Sequence, residues 1–336
     1  MIRKAILLLT ALCLLVCCFT LTACDNKPKT DNDLTVVRLN EVTHSVFYAP
    51  QYAAIHLGYF KDAGLEIELY NGGGADNSMT ALLSGQADIG LMGSEAAIYV
   101  YAQGKEDYPK IVGQLTQKDG SFLVGRHPDA DFSWESLRGK TVIGGRSGGM
   151  PLMIFQHTLK KNGLTPGKDV EVLTNVDFDV MAGAFEGGIA DYVNLFEPTA
   201  SEAQLAGVGY VLASLGEASG NIPYTVYMVS PEYASKNPET VQKFLSAIYK
   251  AQQWVASHSA AEVAEVILPS FNGSSLETIT AAVQSYKDIE AWKTSLTLEE
   301  STFNTFQDIM IDAGELSEKV PFSALVDNSY ATKAEK

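Results

Sequence analysis

The sequence predicts an α/β protein of two similar lobes, and three observations carry that expectation. Between Arg38 and Gly104 each strand runs straight into the N-terminus of a helix. The same strand-helix order returns between Thr141 and Leu195, as a pseudo-repeat does, and from Asn237 onward the pattern turns helical.

Apolar alternation at Val36-Val37-Arg38-Leu39 makes the first strand. Thr43-His44-Ser45 and Pro50 then open a helix carrying Ala53, Ala54, Ile55 and Leu57, stopped at Gly58. Leu65 to Leu69 alternates with period two. Asn71 and Gly72 to Gly74 follow it, and then a helix with Met79, Leu82 and Leu83, for which Asn77 or Ser78 is the expected cap. Ala87 to Met92 is a buried third strand, and Gly93-Ser94-Glu95 begins the next helix. Three helix N-termini thus meet one edge of a parallel sheet, where free amides and helix dipoles favour a small ligand.

Further strands follow at Ile111 to Leu115 and Phe122 to Gly125, then a short helix within Asp131 to Gly139 and a buried strand at Thr141 to Gly144. Gly145-Arg146-Ser147-Gly148-Gly149 turns into a helix with Leu152, Ile154, Phe155 and Leu159, closed by Asn162-Gly163. Val170 to Leu173 is a strand, Val180 to Glu186 a helix, and Ala190 to Leu195 a strand matching Ala87 to Gly90. Past Tyr210 to Leu212, the alternating run from Asn221 to Val229 reads as a return crossing to the first lobe. Asn237 caps and Pro238 opens a helix with Val241, Phe244, Leu245, Ile248 and Tyr249 on one face. Later helices are expected near Ser275 and at Thr297, where Glu300 would complete a capping box. These C-terminal helices are expected to pack on lobe one, and Ala331 to Lys336 to fray.

Two segments carry a resemblance. Gly58-Tyr59-Phe60-Lys61-Asp62-Ala63-Gly64-Leu65-Glu66-Ile67-Glu68, followed by Leu83-Ser84-Gly85-Gln86-Ala87-Asp88-Ile89-Gly90, resembles the paired signature of one family. It is that of the substrate-binding proteins of nitrate, sulfonate, taurine and thiamine-pyrimidine (NMT1/THI5-like) ABC importers, which includes a eukaryotic pyrimidine synthase branch. The resemblance implies a type II periplasmic-binding-protein fold with two lobes, each a mixed sheet flanked by helices, and two crossovers. Lobe one would hold residues 34–120 and 223–330, and lobe two residues 121–222. It also implies an ABC permease and ATPase as partners, and a small ligand held in the cleft of a monomer.

The N-terminal segment indicates an address. Arg3 and Lys4 precede an apolar run from Ala5 to Phe19, and Leu21-Thr22-Ala23-Cys24 resembles a lipobox, so residues 1–23 read as a lipoprotein signal peptide. Cys24 would carry the lipid, and residues 24–33 would tether the protein to the outer face of the cell membrane. The four cysteines are Cys13, Cys17, Cys18 and Cys24, so cleavage leaves no pair to form a disulfide. The net charge of −16 becomes about −18 once Arg3 and Lys4 are removed, a field that argues against nucleic-acid binding. No P-loop or dinucleotide fingerprint occurs and no cofactor is expected. His44 and His56 lack metal-ligand spacing.

Ser45, Phe47, Tyr48 and Gln51 offer aromatic faces and polar groups at a helix start, suited to a planar heterocycle. Gly93, Ser94 and Glu95 supply another helix N-terminus. Arg146, Ser147 and Gly148 form an anion cradle by type, suited to a sulfonate or carboxylate. The same turn satisfies G-x-S-x-G, but His157 and His258, the histidines downstream of Ser147, are badly placed as its base, so a serine hydrolase is a remote alternative. In relatives the segment matching Asn194 to Pro198 often reads aromatic, acid, proline, and the resemblance implies that its acid or its ring faces ligand; Asn194 and Glu197 are the candidates. Tyr224, on the return strand, completes the set. The sequence indicates a binding protein rather than an enzyme, because the synthase branch uses a cysteine-rich motif that is lacking here. Rings, Glu197 and few arginines favour a heterocycle such as a thiamine-pyrimidine precursor. Arg146 favours an alkanesulfonate, taurine or nitrate.

Overall fold

The structure is a computed structural model that describes residues 34–336, so the expected signal peptide, the expected lipid site Cys24 and the expected tether lie outside the described residues. Among the described residues ten strands form two five-stranded sheets. In the first, β1 (Thr35–Glu41), β2 (Leu65–Asn71) and β3 (Ile89–Gly93) run parallel, and β10 (Thr225–Val229) lies antiparallel between β3 and β4 (Lys110–Thr116), giving the order β2-β1-β3-β10-β4. In the second, β6 (Thr141–Ile143), β7 (Glu171–Leu173) and β8 (Tyr192–Phe196) are parallel. There β5 (Ser121–Gly125) runs antiparallel between β8 and β9 (Tyr210–Ser214), giving β7-β6-β8-β5-β9. Each lobe is therefore a mixed sheet with one reversed strand, of the type II periplasmic-binding-protein kind.

The repeat extends to single atoms. Asp88 accepts from the amide and guanidinium of Arg38, while its own amide donates to the Arg38 carbonyl. In lobe two Asp191 accepts from the Thr141 amide and donates to the Thr141 carbonyl. Each Ala-Asp step thus ties the start of the third parallel strand of its sheet to the first, satisfying backbone groups where their pairing begins.

Fifteen α-helices among the described residues flank the sheets. From lobe one come α1 (Ala49–His56), α2 (Tyr59–Asp62), α3 (Ala75–Leu83) and α4 (Glu95–Ala102). From lobe two come α5 (Met150–Lys161), α6 (Met181–Glu186), α7 (Thr199–Leu205) and α8 (Leu215–Ser219). The rest are α9 (Pro231–Lys236), α10 (Pro238–Ser257), α11 (Ala260–Ile267), α12 (Leu276–Asp288), α13 (Glu300–Asp312), α14 (Phe322–Leu325) and α15 (Ser329–Ala334). Val241, Phe244, Leu245 and Ile248 of α10 are buried, packing that helix on α1 and α15. Among the described residues no helix is long and apolar enough to cross a membrane.

Several local expectations yield to longer-range partners. Helix α3 starts at Ala75 behind Gly74, and the Ser78 hydroxyl is buried and donates to Asn40 instead of capping. Asn237 makes no side-chain cap, since its amide bonds back to the Tyr233 carbonyl. The box expected at Thr297 is absent, because helix α13 begins at Glu300 behind Glu299 and Thr297 turns to Glu335. A capping box forms at Ser259 and Glu262.

The C-terminus is not frayed. Residues 329–334 are helical, Ala331 is fully buried, and the Glu335 carboxylate accepts from the amides of Leu296 and Thr297 at 2.6 and 2.9 Å. Nor do the C-terminal helices keep to lobe one. Helix α12 packs on α7, helix α13 packs on α5, and Lys160 meets Asp312 at 3.1 Å. Replacing Glu335 by Ala leaves the Leu296 amide without its acceptor and the Thr297 amide with only the Ser295 hydroxyl at 3.1 Å, at a cost of about 1–3 kcal/mol. Thermal unfolding should show Tm lowered by a few degrees; an unchanged Tm would mean the tail contributes nothing.

Candidate functional site

The carboxyl ends of the parallel strands in both sheets face one cleft of about 480 Å³. Lobe one contributes Thr43 after β1, Tyr48, the 73–79 turn, and Gly93, Glu95 and Tyr99 around α4. Lobe two contributes the 144–151 turn, Phe178 and Asp179 before α6, and Asn194 and Phe196 of β8. Tyr224 and Thr225 enter from the return strand. The two connections between lobes run side by side here, the Ile222 amide donating to the Gln117 carbonyl at 2.9 Å.

Of the residues selected from sequence, Tyr48, Gly93, Glu95, Arg146, Ser147, Gly148, Asn194 and Tyr224 line this cleft. Five do not. Phe47 is buried in a ring cluster with Phe196, Tyr224 and Tyr286, and it fills the space that a Cβ on Gly120 would need. Gln51 is fully buried, donating to Glu41 and accepting from the Tyr227 hydroxyl. Ser94 donates to the Pro223 carbonyl, tying α4 to the return crossing.

Ser45 and Glu197 instead border a smaller hollow of about 210 Å³, and both are already committed. The Ser45 hydroxyl donates to the Glu197 carbonyl at 2.7 Å. The Glu197 carboxylate accepts from the amide and hydroxyl of Ser201, both at 2.9 Å, so it caps the first turn of α7. The ring of the same motif, Phe196, faces the cleft in its place, on the same side of β8 as Asn194 two residues before. His44, without a carboxylate neighbour by sequence spacing, has its Nδ1 2.7 Å from Glu41.

Glu95 decides the electrostatics. It is 4 % exposed, and its carboxylate folds over Gly93, where a Cβ would lie 2.0 Å from Oε2. Glycine there is a spatial necessity. Oε2 has no hydrogen-bond partner among the described residues. Burial pushes the carboxyl up to about 7, opposed by the amides of Glu95 itself and of Met150, which opens α5 in the other lobe. The glycine turn that the sequence offered as an anion cradle is therefore met by a carboxylate from the facing lobe.

Other contacts span the cleft. The guanidinium of Arg146 is 3.8 Å from Asp76, both groups being largely exposed, and the Tyr99 hydroxyl donates to the Gly148 carbonyl at 3.0 Å. Asp119, on the outgoing crossing, is wholly buried with Oδ1 2.6 Å from both the amide and the hydroxyl of Ser121. Burial pushes it up to about 7, with Ser121 opposing, and the Tyr224 hydroxyl stands beside it. Asn194 fixes its amide by donating to the Gly144 carbonyl, leaving Oδ1 buried without a partner. Ser147, the would-be nucleophile, is exposed, while His44, His56 and His258 are hydrogen-bonded elsewhere and His157 faces Asp312.

Sequence reasoning missed Tyr99, Phe178, Asp179 and Asp76, which line the cleft. Tyr99 had a signal, since it lies four residues after Glu95 on one helix face. Phe178 and Asp179 sit on a short 3-10 turn with no periodicity to read.

Comparisons with known proteins agree with this fold. A model of the family described as NMT1/THI5 like matches residues 46–261. The chain is 43% identical over 315 residues to the "Putative binding protein YtlA" of Bacillus subtilis (strain 168), covering 94% of this chain and 93% of that one. It is 26% identical over 225 residues to a 4-amino-5-hydroxymethyl-2-methylpyrimidine phosphate synthase of Candida albicans (strain WO-1), covering 63% of this chain and 64% of the enzyme. Among solved structures, the alkanesulfonate-binding protein SsuA from Xanthomonas axonopodis pv. citri, bound to MOPS, superimposes with a TM-score of 0.70 at 17% identity, covering 88% of this chain and 98% of that one.

The raised carboxyl of Glu95 makes stability depend on pH with a definite sign. Below its ordinary value of 4.5 both folded and unfolded states hold the proton. Between there and about 7 only the unfolded chain ionises, so this contribution is lost as pH rises and stays lost above it. Glu95→Gln should therefore match the parent near pH 4 and exceed it at pH 8 by up to about 3 kcal/mol. Chemical denaturation at the two pH values measures the difference, and equal stabilities at pH 8 would mean that Glu95 ionises freely.

Proposed function

The chain belongs to the NMT1/THI5-like family, and on that premise we propose that it is the extracytoplasmic substrate-binding lipoprotein of an ABC importer. It captures a planar aromatic heterocycle bearing hydrogen-bond donors, of the kind of a thiamine-pyrimidine precursor, and presents it to a permease driven by a partner ATPase. The lobes that close on it are residues 34–120 with 223–330, and residues 121–222. Cys24 carries the lipid that holds the protein at the membrane.

One observation carries the choice of ligand: the carboxylate of Glu95 faces the first amide of α5. An anionic ligand entering the glycine turn would meet that buried carboxylate, whereas an amino group or ring N–H gains a charge-assisted hydrogen bond from it. The rings of Tyr48, Tyr99, Phe178, Phe196 and Tyr224 supply faces for stacking, and Asn194 Oδ1 is a free acceptor. Arg146, the group that would favour a sulfonate, has Asp76 as its neighbour across the cleft.

Closure follows from the same contacts. Ligand bridging the two walls is held better when Arg146, Tyr99 and Glu95 also reach the opposite lobe, so binding shifts the population toward the closed form. The groups around the cleft bind and orient, and the reading is one of binding without chemistry.

A thermal-shift panel of 4-amino-5-hydroxymethyl-2-methylpyrimidine, ethanesulfonate, taurine and nitrate tests the reading. The pyrimidine at a hundred times its Kd should add about 2.7 kcal/mol, seen as a rise of a few degrees in Tm. Phe196→Ala should weaken it about tenfold through lost stacking. Stabilisation by ethanesulfonate or nitrate alone, abolished in Arg146→Ala, would replace this reading with an anion-binding one.

A further inference from the structure

The charges and rings of the cleft point beyond a neutral heterocycle, and we propose that the ligand carries a positive charge, which Glu95 pairs. This inference rests on the heterocycle reading above. Three acids, Asp76, Glu95 and Asp179, line the walls against the single cation Arg146. That cation stands 3.8 Å from Asp76, so Glu95 and Asp179 have no counter-charge on the lining. Burial makes the deficit costly at Glu95, whose Oε2 is without a partner.

The rings point the same way. An aromatic face attracts a cation, most strongly where water is excluded. Lysines or arginines lie over the rings of Tyr108, Phe185 and Tyr59, but over none of the lining rings among the described residues. The faces of Tyr48, Tyr99, Phe178, Phe196 and Tyr224 thus have no protein cation. The acidic field of the chain as a whole draws cations in and repels anions. An ammonium or ring-quaternised nitrogen between these faces and Glu95 satisfies both features. Glu95 then ionises as the cation binds and releases its proton to solvent.

The groups facing Glu95 bound the pH behaviour expected. Tyr48 and Tyr224 flank it, Tyr99 stands one turn along α4, and Arg146 and Asp76 share the wall. The phenols of Tyr48, Tyr99 and Tyr224 are all pushed up by burial and stay neutral. Asp119, behind Tyr224, titrates in the same range as Glu95 and is separated from it by mutation.

The test uses an isosteric pair, 4-amino-5-aminomethyl-2-methylpyrimidine, whose arm is an ammonium at neutral pH, and its 5-hydroxymethyl counterpart. Titration calorimetry of the protein at pH 7, in two buffers of different ionisation enthalpy, reads affinity and proton release together. The ammonium compound should bind at least tenfold tighter and release about half a proton. Its advantage should shrink to about twofold, and the release vanish, in Glu95→Gln, while Asp119→Asn keeps both; the thermal unfolding of each free variant verifies its fold. Equal or tighter binding of the hydroxymethyl compound overturns the charge proposal and leaves the heterocycle reading standing. An advantage that persists in Glu95→Gln overturns Glu95 as the pairing group. If neither pyrimidine binds and ethanesulfonate does, both readings fall.

Discussion

A carboxylate taken out of water at the meeting of two lobes governs much of this structure. Glu95 starts a helix of one lobe and faces the first amide of a helix in the other, so both dipoles favour its charge while burial opposes it. The balance raises its carboxyl from the ordinary 4.5 to about 7. Gly93 beneath it is bare so that the carboxylate has somewhere to lie, and the turn across from it meets that carboxylate at the Met150 amide. That one placement puts a buried acid on the wall of the cleft.

Motion between the lobes is constrained by more than the two crossings. Beside Ile222 and Gln117, Tyr286 of α12 donates to the Gly120 carbonyl and accepts from the Glu197 amide, joining a C-terminal helix to both the outgoing crossing and lobe two. Helix α13 meets lobe two through Asp312 and Lys160. Opening the cleft must break such contacts or carry those helices along. The exposed ion pairs contribute little to that cost, and the buried phenol hydrogen bonds contribute more.

Most of the fold was legible because its signals are local. Period-two strands, helical stripes and glycines at helix ends place the elements, and the two Ala-Asp steps mark the repeat. The site was legible where a strand's carboxyl end could be located, as at Tyr48, Gly93, Glu95, the 146–148 turn, Asn194 and Tyr224. It was misread where the phase of a short turn decides which side a residue faces. Phe47 and Tyr48 are neighbours, yet one packs into the ring cluster between the lobes and the other lines the cleft. It was also misread where a distant partner outbids a local motif. Thr297 and Glu300 have the spacing of a capping box, but Glu335, 38 residues on, takes the Thr297 amide. Glu197, a candidate ligand group by sequence, has a nearer partner in Ser201.

The pinned C-terminus has a mechanical consequence. Strand β1, where the described chain begins, belongs to the first sheet, and α15 at the other end packs on β4 of that sheet. A pull applied between the two ends is borne within one lobe and puts no tension across the crossings. A lipid leash on one terminus, or a bead or surface fixed to the other, would leave the opening of the cleft to thermal motion and to what it binds.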